Sequence, residues 1–478
     1  MSKPLKCVWQ GKRLSETALL NLVEEFKEED GTALLYSGGT SDMAHRCYLY
    51  LFPYQKLIVE PDFYVSQRQP GHPFRMPADS NAWDWLQSQI DVDDETSASS
   101  PRWVGYLGFE MHHNAGPAPH PIPKPPNYPL AYFQRSVLNL VWTRATQSAC
   151  LYLDEEGFNL LSTEKQRIVK NLLKFEYWSQ KRAKPLSASR WEMLEGPLDR
   201  QTYYSMIEQA KEHIRAGDIY QVCLSQRLTF RGNGSPYSLF LQLVQENPTA
   251  YAAFLKAEQL SVVSSSPERF LEKNGSKLET RPIKGTAPRG KTIREDLESQ
   301  KALLNSEKER AELLMITDLM RNDLGRVSQT GTVETKELCK CESFSNVFHL
   351  HSRIESIVLP NLHPIEILRA CFPPGSISGC PKIRAVEIIS SLEQRPRGIY
   401  TGALGHVFSN GDFDFSVAIR TLTFLDGIAA VQLGGAVTLD SDPEKEYDET
   451  MHKGSSILSA LKSNKQDINR NTYTITNK

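Results

Sequence analysis

An α+β fold is predicted by the order of patterns along the chain. Strand-like runs with period-two alternation follow one another, and separate helical stripes flank them, without the regular strand–helix alternation of a doubly wound sheet. No G-x-G-x-x-G or G-x-x-x-x-G-K-[ST] follows a strand, so a nucleotide-binding α/β fold has no support. The chain has 478 residues, a formal net charge of -2 and 40% hydrophobic residues. That length allows two or three domains and a large core without covalent staples.

The elements follow in chain order. ALLYSG (33–38), YLYLFP (48–53), RWVGYLGF (102–109) and LAYFQRSVLNLVW (130–142) read as strands. GPAPHPIPKPPNYP (116–129) is too rich in proline for helix or central strand and reads as an extended surface loop. The basic, small-residue stretch 179–200 reads as a linker. It divides the chain into an N-terminal region, 1–185, and a C-terminal region, 195–465. After it, Tyr203, Ile207, Ala210 and Ile214 form a helical stripe stopped near Gly217. A second stripe runs through Leu313, Ile316, Met320 and Leu324, and a third helix begins near Asp442.

Composition excludes several functions. Near-neutral charge gives no argument for nucleic acid or an anionic membrane surface as partner, and neither is expected. No apolar run approaches the roughly 20 residues of a membrane span, and the N-terminus lacks the apolar core of a secretory signal. The eight cysteines are scattered; Cys339 and Cys341 form a lone C-x-C, poor zinc spacing, and most are expected to be small buried apolar residues. A reducing cytoplasm is the expected location. No G-x-S-x-G elbow is present.

Three features bear on chemistry. First, VVSSSPERFLEKNGSKLETRPIKGT reads as two strands joined by Asn274-Gly275, a favoured turn pair. Ideal pairing puts Glu268 opposite Arg281, with a bulge expected near Pro267 or Pro282. Lys284 at its end is open to two readings: an edge-strand lysine in water, or an amine aimed at a site. Second, Glu446 and Glu449 share one helix face, and Glu309 and Glu312 repeat the spacing. Such pairs suit Mg2+ or are simply solvated. Third, FDFSVAIRTLTF (413–424) reads as one strand, with Arg420 on a face that becomes apolar around it. A substrate carboxylate or a structural ion pair would satisfy it. Gly434 and Gly435 follow, where backbone amides could approach an anion.

SSSPERF, RPIKGT, ERAELLMITDLMRNDLGRV, FPPGSISGCPK, YTGALG, FSVAIRT and YDETMHK occur in this order. The series, over roughly residues 200–460, resembles the chorismate-utilising family: the component I chains of anthranilate synthase and aminodeoxychorismate synthase, with isochorismate and salicylate synthases. The resemblance implies an anthranilate synthase component I-like fold of two packed, mainly antiparallel β-sheets flanked by helices on the outside. LLYSG (34–38) resembles the divergent N-terminal region of the aminating members. Anthranilate synthases typically carry alanine at the position of Lys284, and aminodeoxychorismate synthases lysine. Gln221 stands where the water-using members have a lysine base. Both positions point to the aminodeoxychorismate synthase branch and to 4-aminobenzoate and folate biosynthesis.

That resemblance implies a mechanism. Mg2+ is bound through Glu312, Glu446 and Glu449. Lys284, neutral through desolvation and metal charge, attacks C2 of chorismate, and Glu268 protonates the departing C4 hydroxyl. Ammonia then adds at C4 and expels the lysine. Gly285, Thr286, His349, Tyr400, Arg420, Gly434, Gly435 and Lys453 resemble the substrate contacts. No Cys-His-Glu glutaminase signature is present, so a separate glutaminase subunit would supply ammonia. The chain departs from the family pattern at Pro374, Ser378, Cys380 and Ala436. Anthranilate synthase component I is the main alternative; a pyridoxal enzyme using Lys284 and a non-catalytic glutaminase-binding scaffold are the others.

Overall fold

The computed structural model of the chain describes residues 5–462 apart from 40, 42, 44, 69–72, 79, 93–99, 116–125, 180–189, 345 and 346. The proline-rich loop expected at 116–129 and the first half of the expected linker therefore fall largely outside the described residues. The rest of that linker is not all connection: Trp191–Glu195 is a strand paired with Gln221–Gly232.

Alternating apolar residues build a sheet with two faces to cover. All 22 described strands join one hydrogen-bonded network, and the strand pairings within it are antiparallel. One core cluster is drawn from strands and turns alone, with Tyr50, Val104, Tyr106, Tyr132, Val262 and Leu404 facing each other. Two larger clusters lie between strands and helices. The architecture is thus two sheet layers packed face to face with helices outside, as expected, and the two layers are joined edge to edge. Strands of the two sequence regions pair directly: Ala33–Tyr36 with Tyr251–Ala257, and Pro101–Leu107 with Ala403–Phe408.

The helices form where the stripes place them. Arg200–Arg215 starts at Asp199, whose side chain accepts from the Thr202 amide, and Tyr203, Ile207 and Ala210 are buried. Gly217 follows it with φ +79°. Glu307–Gly325 is capped by Ser306 and buries Leu313, Ile316, Met320 and Leu324. The third expected helix is two, Pro443–Lys453 and Ser455–Lys462. They break at Gly454, where a Cβ would come within 2.4 Å of a Leu433 methyl.

Two strand readings are corrected. Asn274 pairs with Lys277, so the turn is Gly275-Ser276, and Arg269 rather than Glu268 lies opposite Arg281. The later turn alone would put Phe270 opposite Arg281; a register shift between Arg269 and Glu272 moves the pairing back by one residue to Arg269. The 413–424 run is not one strand but two, Phe413–Val417 and Thr421–Leu425. Among the cysteines, Cys47, Cys339 and Cys371 are buried, fewer than expected, and all eight are free thiols. No described helix is long and apolar enough to cross a membrane.

Gly105 and Gly405 face each other across the junction of the two regions. A Cβ at Gly105 would lie 1.9 Å from the Tyr132 carbonyl oxygen, and one at Gly405 2.1 Å from that of Asp414. Gly105→Ala and Gly405→Ala are each expected to cost about 3 kcal/mol through overpacking against backbone. Urea unfolding read at unchanged slope checks this; wild-type midpoints in both variants would refute the close approach.

Candidate active site

The Ile283–Pro288 strand is an edge strand that pairs with Val347–Ile357, and its register slips between Lys284 and Thr286. Gly285 occupies the slip with φ +72°, a backbone state that glycine adopts without strain. The expected bulge is therefore present, one residue past Lys284 as well as in the preceding hairpin. A Cβ at Gly285 would stand 3.1 Å from Oε2 of Glu309, so the strand lies close against the glutamate-bearing helix. Thr286 Oγ1 is 2.9 Å from Nδ1 of His349, and the Gly285 carbonyl oxygen is 3.3 Å from the same nitrogen.

Lys284 is half-buried, not extended into water. Its amine makes no side-chain hydrogen bond or ion pair to a described residue. Burial pulls the amine towards neutrality. The surroundings, Cys223, Glu312, Glu268 and Glu449, outweigh this and hold it above the ordinary lysine value. The expected neutral lysine is thus not the resting state of the protein without a bound cation: the acids around it keep it charged.

Glu268 follows Pro267 at the start of Arg269–Asn274 and is 3% exposed. Burial pushes its carboxyl up to about 7, against the opposing pull of Ser376 and of the Lys284 and Arg420 charges. A carboxyl that retains a proton near neutrality can donate it. Arg420 sits between the two separated strands with φ +52°. Its guanidinium has no side-chain hydrogen bond or ion pair among the described residues, and burial lowers its pKa despite the Glu268 charge. A buried cation without an anion suits an anionic ligand. His349 is 3% exposed. Burial first, and then the Arg420 charge, push it down to about 3, so the imidazole is neutral.

The opposite wall comes from Ile428–Val437 and Pro443–Lys453. Any side chain at Gly434 would meet the Tyr400 hydroxyl at 2.7 Å; one at Gly435 would lie 3.6 Å from Oε2 of Glu446 and 3.9 Å from Nζ of Lys453. The two glycines keep this floor open. Glu446 accepts from Lys308 at 3.1 Å and from Ser441 at 2.8 Å. Lys308 also stands 3.9 Å from Glu312, and Lys453 pairs with Glu449 at 2.6 Å. Among the described residues no three His, Cys, Asp or Glu side chains converge closely enough to hold a metal ion by themselves. Of the expected metal trio, Glu312 and Glu446 share Lys308 and Glu449 pairs with Lys453; the three are not gathered into a cage. The donor set nonetheless fits Mg2+, which takes one or two carboxylates and completes its shell with water and substrate oxygens.

The structure thus brings the expected residues to one cleft, and adds some that sequence reading missed. Lys308, Cys223 and Ser376 face it, beside Glu309, which the sequence already offered as half of a carboxylate pair. The i,i+4 spacing of Lys308 and Glu312 was a visible signal; Cys223, brought in by sheet pairing, gave none. Gln221 is fully buried with neither amide atom hydrogen-bonded among the described residues. Pro374 adopts φ -53° before a short 3-10 turn, Gly375–Ile377, so the unusual proline fits its ring geometry.

The sequence profile of the chorismate binding enzymes matches residues 46–459. An aminodeoxychorismate synthase component 1 from Escherichia coli is 44% identical over 264 residues, 55% of this chain and 58% of that protein. An anthranilate synthase component 1 from Aquifex aeolicus is 40% identical over 262 residues, 55% of this chain and 53% of that protein. The aligned part spans little more than half the length of these relatives. The crystal structure of anthranilate synthase component I from Streptococcus pneumoniae superposes with a TM-score of 0.70 at 27% identity, covering 87% of this chain and 93% of that one.

The Glu268 environment generates a stability test. As pH rises from the ordinary 4.5 through about 7, the unfolded chain releases this proton while the folded chain keeps it. The stability that the neutral carboxyl contributes is present below that window and lost across it. Glu268→Gln removes this loss. Relative to wild type, the variant is expected to gain thermal midpoint between about pH 5 and about pH 8; a constant difference across that range would contradict a raised carboxyl.

Proposed function

We propose a specific reaction for this chain, which belongs to the family of chorismate-binding enzymes: amination of chorismate at C4 by ammonia, the reaction of aminodeoxychorismate synthase component 1. One observation carries the choice of member. Lys284 stands in the cleft within electrostatic reach of the protonated carboxyl of Glu268 and of Glu312 and Glu449. A lysine there serves as a nucleophile; alanine would not.

Chorismate carries two carboxylates and a C4 hydroxyl. The unpaired Arg420 guanidinium takes the enolpyruvyl carboxylate, with the Tyr400 hydroxyl and the Gly434-Gly435 backbone beside it. Thr286, Gly285 and neutral His349 border the ring, and Lys453 lies on the ring-carboxylate side. Mg2+, held by Glu312, Glu446 and Glu449, would compensate the acids that keep Lys284 protonated and would draw electrons from the ring through its carboxylate.

Neutral Lys284 forms an Nζ–C2 bond as the two conjugated ring double bonds each shift by one position towards C4 and the C4–O bond breaks. Glu268 gives its proton to the leaving oxygen, which departs as water. Ammonia then bonds to C4, the double bonds return, and the C2–N bond breaks with the electron pair returning to lysine. Two displacements in series place nitrogen at C4. A separate glutaminase subunit would supply the ammonia, and 4-aminobenzoate for folate would need a further lyase. The relatives named anthranilate synthase at similar identity support a second reading, in which ammonia attacks C2 directly.

Incubation with chorismate, ammonia and Mg2+ decides between them. The expected product is the C4 amine, converted to 4-aminobenzoate only when a lyase is added. Direct appearance of fluorescent anthranilate would sink the assignment. Glu268→Gln, which cannot donate the proton, is expected to lower kcat by about 10²–10⁴-fold. Wild-type turnover should decline on the alkaline side as pH rises through about 7. A variant with wild-type turnover would remove Glu268 as the acid.

A further inference from the structure

The most fully bonded side chain behind the cleft is one to which neither the sequence reading nor the proposed chemistry gives a part. Arg397 is 2% exposed. All five of its guanidinium N–H groups have acceptors. Two go to Glu393, Nη2 to Oε1 at 2.6 Å and Nε to Oε2 at 2.9 Å. One reaches the Cys223 carbonyl oxygen at 2.7 Å, one the Ile377 carbonyl oxygen at 3.1 Å and one the Thr401 hydroxyl at 3.3 Å. The ring of Phe109 lies 4.7 Å from the guanidinium carbon and that of Tyr400 5.8 Å.

These acceptors belong to three segments that line the site. Cys223 is on Gln221–Gly232, whose next neighbours hold the floor glycines in register: Leu224 pairs with Gly435 and Ser225 with Gly434. Ile377 adjoins Ser376, whose buried hydroxyl lies near Glu268 with no hydrogen bond to a described residue. Thr401 adjoins Tyr400, whose hydroxyl reaches Gly434. The supports of the fork are themselves fixed. Oε1 of Glu393 also accepts from the Ser225 amide at 2.8 Å. Glu110, from the N-terminal region, accepts from the Arg397 and Gly398 amides at 2.7 and 2.9 Å.

We propose that Arg397, clamped by Glu393, is the positioning residue of this cleft: one planar fork sets Tyr400 against the glycine floor and Ser376 against Glu268. It touches neither substrate nor cation; it acts through those two side chains. Lysine cannot substitute, because three donors on a flexible stem do not reproduce five in a fixed plane. The inference rests on the chorismate-site reading.

The test measures chorismate binding by calorimetry with Mg2+ and without ammonia, together with kcat, KM and the alkaline limb of the rate profile. Folding is followed by circular dichroism. Arg397→Lys is expected to bind chorismate about 100-fold more weakly, the scale of a misplaced contact at a reacting centre. Its alkaline limb should move upward as Ser376 leaves Glu268. In Arg397→Ala, added guanidinium at millimolar concentration should restore several-fold of the lost affinity, and urea should not. Thr401→Val removes one acceptor and leaves the ion pair; it is the variant expected to keep its fold, with a loss of about 10-fold. Wild-type affinity and an unmoved alkaline limb in folded Arg397→Lys or Thr401→Val would overturn the proposal, as would losses that follow only the unfolded fraction. Failure of the wild-type protein to bind chorismate would instead strike the site reading beneath it.

Discussion

A carboxyl and an amine share one cluster of charged side chains, and the charge of each shifts the protonation of the other. Glu268 is buried deeply enough to keep its proton near neutrality, while Lys284 is held charged by the acids around it. In open water the carboxyl would lose its proton well below neutrality, whereas the amine would be charged there as it is here. The rest of the site is arranged around that imbalance. The slip at Gly285 brings the Lys284 strand close to Glu309. The Glu307–Gly325 and Pro443–Lys453 helices present acids to it, and Lys308 and Lys453 neutralise those acids in part. Such a site is charged but nearly balanced, so a divalent cation and a dianion can enter together without leaving a buried charge unpaired.

The N-terminal region takes a physical part in this arrangement. Its Pro101–Leu107 strand completes the sheet beside Ala403–Phe408. The turn that follows supplies Phe109 against the Arg397 guanidinium and Glu110 beneath the Arg397 and Gly398 amides. Burial raises the Glu110 carboxyl to about 7, although those two amides oppose the shift. A segment far upstream in sequence thus sets the floor under Tyr400.

The parts of this molecule that depend on local spacing were legible from sequence. Helical stripes at Leu313, Ile316, Met320 and Leu324 predicted a buried face, and Gly217 marked the end of the Tyr203–Ile214 stripe correctly. Errors arose where one residue of register mattered. The Asn274 turn was placed one position early, because a two-residue loop can begin at either side of the Asn-Gly pair, and Gly275 supplies the positive φ. Alternation through 413–424 hid the break at Arg420, since apolar residues continue on both faces while the backbone leaves the sheet. Cys223 gave no signal because its carbonyl meets the Arg397 side chain across 174 residues; of the partners of Arg397 only Glu393 and Thr401, each four residues away, are near in sequence, and the others come through sheet pairing and turn packing. The resemblance supplied the roles of Glu268 and Lys284; composition and spacing supplied only their presence.

The central claim is a transient covalent bond between Lys284 and the substrate ring. Its most direct test is mass spectrometry of the protein quenched in acid after brief exposure to chorismate and Mg2+ with ammonia withheld, followed by peptide mapping. The account predicts a substrate-derived mass increase confined to the peptide that contains Lys284, absent from Lys284→Ala. Formation of the C4 amine by wild-type protein with no such adduct at any quench time would contradict it.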